Sequence, residues 1–399
     1  MLPSLFVSDA NISFLAMGYQ AKNPASSFHQ HLRLPKYCPI GKHPIEIFLC
    51  FHYIMHNNTG YEKKYAKYKM KYSKLKYRMV GGASIDDLKH AYLKYIDTNL
   101  PKNSLTEMKN PAEEFRLGTY NIHYFTDVWE RENTYTKILA DVAAINADII
   151  ILEEIIIGGD VKIKEGLHVD VSKIYDDLAK IGYPKTVICN TVPSWYNAMY
   201  GNMLAIKDNL ITKCGADLLC KKYDETIYTF KKSTTTTTVS GLHEGTTETR
   251  CYVYVKVPYK ESVLHIYGTH SDVASEDTRL AQITYIVNQI KTNHTAKNDI
   301  SFVLGDFNTI DRAQYTSNPE IINNPFLATS GKLIAYLKEH GFIDLFEPDP
   351  PQMTTWNNTR VDFIFCNKKL TNYTKNVYYT KASDHLPIFI TLKSDAHSL

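Results

Sequence analysis

Ser301-Phe302-Val303-Leu304-Gly305-Asp306-Phe307-Asn308-Thr309 is the stretch around which the rest of the chemistry-bearing sequence can be arranged. Apolar and β-forming residues run into a glycine, and an acid and an amide follow two positions apart. Within a strand that spacing sets Asp306 and Asn308 on one face, and at the strand's end they would project into whatever cleft lies there. A carboxylate beside a carboxamide can orient a water and hold one oxygen of a phosphate. Gly-Asp-x-Asn is also ordinary turn chemistry, so the decision rests on what the other strand ends offer.

They offer groups of the same kind. Phe115 to Ile122 reads as a strand reaching Asn121, and Asp148 to Leu152 as a buried strand that ends in Glu153-Glu154. Thr186 to Cys189, Asn202 to Ile206, Arg250 to Val257 and Leu264 to Thr269 read as further strands, the last delivering His270. Arg360 to Cys366 carries Asp362, and Ser383-Asp384-His385 precedes a final strand from Pro387 to Leu392. Helical patterns cover Tyr135 to Ile145, Val171 to Ile181, Thr278 to Lys291 and Gly331 to His340. Thr234 to Thr238, flanked by Gly241 and Gly245, reads as a loop. Because strands do not alternate strictly with helices, one parallel sheet fits poorly, and the expected class is α/β with two packed sheets and outer helices.

Each strand-end group has a bland alternative: Asn121 as a turn former, Glu154 as a surface acid, His270 as a hydrogen-bonded strand end. Asn121, Glu154, His270, Asp306, Asn308, Asp362, Asp384 and His385 taken together are harder to dismiss, because open α/β sheets gather their ligands at strand ends. Carboxylates and amide oxygens without thiols are hard ligands suited to Mg²⁺ or Mn²⁺. Such an ion polarises a phosphoryl oxygen and stabilises a leaving oxyanion. An imidazole at His385, next to Asp384 and within reach of Asp362, would be kept protonated by that acid. The chemistry these types support is metal-assisted attack of water on a phosphate ester. Other chemistries lack parts: there is no Gly-x-Ser-x-Gly elbow, no His-Glu-x-x-His, and Gly331-Lys332 is followed by Leu333, so no Walker loop is present.

A chain of 399 residues, 44% hydrophobic and 22% charged, has the composition of a globular protein with a packed core. Its net charge of +3 is regional: Tyr61 to Met79 holds seven Lys and one Arg against Glu62. The body is therefore slightly acidic, and attraction to a polyanion belongs to that segment. Tyr61, Tyr65, Tyr68, Tyr72, Leu75 and Met79 recur at alternating spacings of four and three, an amphipathic helical seam that closes at Gly81-Gly82. A solvated helix that packs on the body or on itself explains this as readily as binding to nucleic acid or membrane. Ile85 to Leu100 has a second helical pattern, stopped by Pro101. Three regions follow: an irregular N-terminal region over 1–60, the basic helix with a second helix and linker over 61–110, and the catalytic body over 111–399.

The seven cysteines are odd in number and scattered, so no disulfide framework or zinc site is expected and a reducing compartment is favoured. Met1 to Val7 lacks a basic n-region, and the apolar run Ile45 to Met55 is too short to span a bilayer and contains Glu46 and His52. An intracellular site in cytoplasm or nucleus is expected, with no transmembrane segment and a monomeric chain.

The ordered pieces resemble the endonuclease/exonuclease/phosphatase superfamily, the deoxyribonuclease-like metal-dependent phosphoesterases. The matching stretches are Thr119-Tyr120-Asn121-Ile122, Asp148 to Glu154, Tyr200-Gly201-Asn202-Met203-Leu204, Gly268-Thr269-His270-Ser271, Arg279-Leu280-Ala281-Gln282, Gly305-Asp306-Phe307-Asn308, Thr355-Trp356 with Arg360 to Ile364, and Ser383-Asp384-His385. The resemblance implies a four-layer αββα sandwich in which Asn121 and Glu154 hold Mg²⁺ with Asp384 nearby. It implies that Asp306 orients or deprotonates water, that Asn308 binds phosphate, and that His270 and His385 contact phosphate oxygens, with Asp362 orienting His385. Glu153 departs from the family's usual Gln, which puts the metal preference in question. Nucleic acid is the favoured substrate, with a phospholipid or inositol phosphate head group as the alternative. The Lys/Tyr segment resembles N-terminal segments in proteins of giant DNA viruses, which makes an infected cell or a virion a further expected location. A rival of another class is a non-catalytic nucleic-acid-binding or virion-associated protein working through that segment. The intact set of catalytic residue types argues against it.

Overall fold

The computed structural model describes residues 85–103, 114–191, 199–210, 228–229, 250–273, 275–294, 296–316, 331–347 and 353–393. All of them belong to one compact unit running Asn57–Leu399. The irregular N-terminal region, the Lys/Tyr segment and the Thr-rich loop lie outside the described residues.

Two strand–helix–strand units set the architecture. In the first, β1 (Phe115–Asn121) leads through α2 (Tyr135–Ile145) to the parallel strand β2 (Ile149–Ile157), with Asn121 opposite Glu153. In the second, β9 (Ser262–Thr269) leads through α4 (Glu276–Asn293) to the parallel strand β10 (Asp299–Asp306). Each parallel pair is flanked by antiparallel strands. β14 (Ile388–Leu392) pairs with β1 and β6 (Met199–Ile206) with β2, while β12 (Asp362–Cys366) pairs with β10 and β8 (Cys251–Tyr259) with β9. Edge strands β13 (Tyr373–Val377), β5 (Lys185–Thr191), β11 (Ile343–Asp344) and β7 (Tyr228–Thr229) complete two six-stranded sheets, ordered β13-β14-β1-β2-β6-β5 and β11-β12-β10-β9-β8-β7. A small hairpin of β3 (Asp160–Lys164) and β4 (Leu167–Asp170) stands apart.

The sheets are apolar on both faces, which requires cover on both. Between them Leu117, Ile149, Ile151, Leu204, Val253, Ile266, Phe302, Leu304, Ile364 and Ile390 form one core. On the outer face of the first sheet Ile150, Leu152 and Met203 pack under Ile138, Val142 and Ile145 of α2 and Ile174 and Leu178 of α3 (Ile174–Lys180). Tyr252, Val303 and Phe365 of the second sheet pack under Ile283, Ile286 and Val287 of α4 and Leu333 and Leu337 of α5 (Lys332–Glu339). The result is the four-layer αββα sandwich expected. Truncating one of these inter-sheet side chains, such as Ile151→Ala, removes about 2–5 kcal/mol of stability.

Ahead of the sandwich, α1 (Ile85–Asn99) buries Tyr92 and Ile96 completely against Val128, Tyr379 and Leu386. Cys189 of β5 and Cys251 of β8 are joined by a disulfide between the two sheets, with Cα atoms 6.1 Å apart. This corrects the expectation of no disulfide. The partners are separated by 62 residues and meet only because the sheets pack face to face, so no sequence spacing announces them.

Candidate active site

The two parallel pairs decide where the polar residues go. β1, β2, β9 and β10 deliver their carboxyl ends to one edge of the sandwich, and antiparallel β12 and β14 begin there. Asn121 and Asp306 are the last residues of β1 and β10, His270 follows β9, and Asp362 opens β12 opposite Asp306. Asp384 and His385 lie just before β14. All eight sequence-predicted residues therefore meet at one place.

Local backbone features aim them. Strict alternation along β2 would send Glu153 and Glu154 to opposite faces. A register shift between Leu152 and Ile155 makes a bulge instead, with Glu154 at φ +58°. Glu153 points inward between the sheets and Glu154 turns to the edge. β10 stops at Asp306, and Asn308 sits beyond it at φ +49° with its backbone N–H donating to Asp306 Oδ1 at 2.8 Å. The amide thus reaches the cleft through a turn and not along a strand face. Gly305 is required just before it: its φ is +135°, and a Cβ there would lie 1.9 Å from the Thr269 carbonyl oxygen.

Asp306 Oδ2 is the centre of the group. Asn121 Nδ2 donates to it at 3.0 Å, His270 Nε2 lies 3.5 Å away and His385 Nε2 3.7 Å away. Asn121 Nδ2 also donates to Glu154 Oε1 at 3.2 Å, and its backbone carbonyl accepts from Ser383 Oγ at 2.8 Å. His385 Nδ1 contacts both oxygens of Asp362 at 3.1 and 3.2 Å, and Asp384 Oδ1 is 4.0 Å from His385 Nε2. Asn308 Nδ2 donates to the Ser271 carbonyl at 3.1 Å, which fixes the amide orientation, and so donates to His270 Nε2 at 2.8 Å. His270 Nε2 is then an acceptor and the ring is neutral.

The electrostatics agree with these contacts. Burial, with Arg250 and His385 adding repulsion, holds His270 well below the usual histidine range. Burial also opposes charge on His385, yet Asp362, Asp306 and Asp384 outweigh it and raise that imidazole well above the range. Asp306 is pushed up to about 7, mainly by burial. Glu153 is raised well above the carboxylate range by burial and by Asp362 and Asp306, with Thr119 Oγ1 donating to its Oε1. The additional acid at that position is thus held neutral behind the site.

Two observations bear on a metal. Glu154 Oε2 is buried with no hydrogen-bond partner, leaving a carboxylate oxygen available to a cation. Asp306, Asp362 and His385 offer ligand atoms within 4.8 Å of one another, but His385 is charge-paired to Asp362 and a protonated imidazole has no lone pair to give. The oxygen-rich side, with Glu154 and Asp384, fits a hard divalent ion better, and Asn121, whose Nδ2 donates to Glu154 and whose Oδ1 accepts from the His123 N–H, would join them by turning its amide oxygen to the ion.

Some neighbours were not singled out in the sequence. His123 Nδ1 lies 3.7 Å from Asp384 Oδ1, at the start of a run, His123 to Phe125, in which every φ is positive. Its position two residues past Asn121 was the available signal. Ser383, quoted within a motif, links the Asp384 loop to Asn121.

The profile described as "Endonuclease/Exonuclease/phosphatase family" matches residues 118–385. The chain belongs to the endonuclease/exonuclease/phosphatase family. Enzymes of this family are hydrolytic phosphoesterases that use divalent metals, and the protein is an enzyme of that class. No curated protein matches the chain. Similar solved structures include an endonuclease/exonuclease/phosphatase from Beutenbergia cavernae, 16% identical, covering 70% of this chain and 72% of that one with a TM-score of 0.49. Truncated Caenorhabditis elegans TDP2 is 14% identical over 70% and 97% of the two chains, TM-score 0.44. The human Nocturnin catalytic domain with bound sulfate anion is 14% identical over 70% and 94%, TM-score 0.43. Among the described residues, no helix is long and apolar enough to cross a membrane.

Proposed function

We propose that the protein is a Mg²⁺-dependent phosphodiesterase whose substrate is nucleic acid, with Mn²⁺ as a substitute ion. The observation that carries this reading is the single oxygen, Asp306 Oδ2, set 3.0 to 3.7 Å from an amide, a neutral imidazole and a cationic imidazole. Asn121, Glu154 and Asp384 would hold the ion, which when bound supplies charge against the phosphate and the departing oxygen. The chain's own groups do the rest. Asp306, with a pKa near 7, takes a proton from the water whose oxygen bonds to phosphorus. The P–O ester bond opposite breaks and its electrons leave with the departing oxygen. His385, kept cationic by Asp362, stabilises negative charge on the phosphoryl oxygens. Asn308 would give a phosphoryl oxygen the N–H that His270 Nε2 accepts in the free site, while the Ser271 carbonyl keeps the amide in place and His270 lies beside the phosphate. The basic segment within residues 61–110 would add a non-specific contact to a polyanion, with the fold from 111 onward carrying the chemistry.

The test is turnover of single-stranded DNA, duplex DNA, RNA, sphingomyelin and inositol phosphates by the purified chain with Mg²⁺, beside Asp306→Asn. Metal-dependent cleavage of a nucleic acid that disappears in the variant is expected. Cleavage retained in Asp306→Asn overturns the assignment, and turnover confined to the lipid or inositol substrates overturns the choice of nucleic acid.

A further inference from the structure

Helix α1 precedes residues 118–385, the span that the family profile covers. It is tied to the loops that carry the site. Beyond the buried Tyr92 and Ile96, Asn103 Nδ2 donates to the Tyr379 carbonyl at 2.5 Å and Tyr379 N–H returns to Asn103 Oδ1 at 2.9 Å. Lys381 Nζ pairs with Asp97 at 2.5 Å. Leu386, beneath the helix, is the residue after His385.

One turn before Tyr92, on the same face, stands Lys89. Its ammonium lies 5.1 Å from the ring centre of Trp129 and 5.6 Å from that of Trp356. Both tryptophans stand on segments that adjoin the site: the Trp356 backbone N–H donates to the Asp384 carbonyl at 3.3 Å, and Trp129 precedes Glu130, whose Oε1 is 3.8 Å from His123 Nε2. The carboxylates acting on Lys89 are Asp384, then Glu130, Asp127 and Asp86, and among the described residues none forms an ion pair with it. A half-buried ammonium is therefore held by two π faces at the edge of an acid-rich cleft. Arg131 lies over the Trp129 ring at 4.7 Å, extending the cationic track outward. Cations interleaved with partly buried aromatic rings match the alternation of phosphate and base in a single strand, and a polyanion approaching these acids needs such a cation.

We propose that α1 is part of the active site, and that Lys89 with Trp129 and Trp356 forms the subsite for the nucleotide next to the scissile phosphate of a single-stranded nucleic acid. The ammonium takes the flanking phosphate and an indole takes the base. This rests on the phosphodiesterase reading above. The alternative use of Lys89 is a cation–π staple that only docks the helix.

The experiment measures binding of a labelled twelve-residue oligothymidylate to the full chain in EDTA, for wild type, Lys89→Met, Lys89→Arg and Trp356→Leu. Lys89→Met should weaken binding by about tenfold and make the plot of log affinity against log salt shallower by about 0.7. Lys89→Arg should restore both, and Trp356→Leu should weaken binding while reducing the quenching of tryptophan fluorescence by the oligonucleotide. Unchanged affinity and salt slope in Lys89→Met, with only a lower melting temperature, shows the staple and overturns the proposal. It is equally overturned if wild type does not bind the oligonucleotide, or if the variants lose binding to vesicles of anionic phospholipid and not to oligothymidylate. Failure of the underlying reading looks different: the wild-type chain would then not hydrolyse bis-p-nitrophenyl phosphate with any divalent ion.

Discussion

His270 and His385 approach the same carboxylate oxygen from 3.5 and 3.7 Å and are driven to opposite protonation states. Burial disfavours the cation on both rings. What differs is the other contact: Asn308, a neutral amide, donates to the same His270 Nε2, and the far Nδ1 has no hydrogen-bond partner, whereas His385 Nδ1 on its far side faces the carboxylate of Asp362. Distance to an acid therefore does not set the charge of a buried imidazole, because the sum over all its neighbours does. One ring is left to supply positive charge and the other to accept from an amide.

The largest effect that could break this division is at the shared acid and the cation. Asp306→Asn and His385→Ala should each reduce kcat by roughly 10²–10⁴, with unchanged circular dichroism. Near-normal turnover in either would remove its residue from the chemistry. Asp362→Asn should cost less, about 10²-fold, and should change the shape of the pH profile. Because Asp362 raises the His385 pKa, its loss lets the cation disappear at lower pH, so the alkaline fall in kcat/KM moves toward neutrality. The acid limb, where rate rises as Asp306 ionises near pH 7 or lower once a divalent ion is bound, should remain.

His270→Gln should lower kcat/KM by about tenfold or less while leaving both limbs of the profile in place, because a ring already neutral does not titrate there. A shifted limb in that variant would show that His270 carries charge after all. The smallest expected effect is on stability. Asp306 and Glu153 have folded pKa values above their unfolded ones, so they stabilise the metal-free fold fully below about pH 4 and lose that contribution as pH rises, through about 7 for Asp306. Melting of the EDTA-treated protein should fall by a few degrees from pH 5 to 8. Glu153→Gln should flatten that fall, and added Mg²⁺ should raise Tm more at pH 8 than at pH 6. A flat profile in the unsubstituted protein would mean that these carboxyls are not held neutral.

The groups that end long apolar runs were legible because burial leaves a strong signature: Leu117, Ile149 to Leu152 and Phe302 to Leu304 read as strands, and their termini carry the site. Helix α1 was legible through Ile85, Leu88, Tyr92, Leu93 and Ile96, but its proximity to Asp384 was not, because no local pattern encodes which loop a helix will cover. The hairpin of β3 and β4 was missed, its short strands carrying charged residues on the exposed face. Strand β13, half-buried at the edge of its sheet, shows no apolar run. Asn308 was expected on a strand face and reaches the cleft through a left-handed turn, a geometry that asparagine tolerates but does not announce.

The extra residue in β2 couples two tasks that could otherwise vary separately. Up to Leu152 the side chains alternate between the inner core and the helical layer, and past the bulge Ile155 and Ile156 pack with the helical layer while Glu154 is diverted to the rim. Deleting one of the two acids there would restore plain alternation: the acid that remains, between Leu152 and Ile155, would face the opposite sheet, Ile156 would turn the same way, and no carboxylate from β2 would reach the rim. Length changes at this point are thus vetoed by folding before catalysis is consulted, and the acid's location is protected by the oil around it.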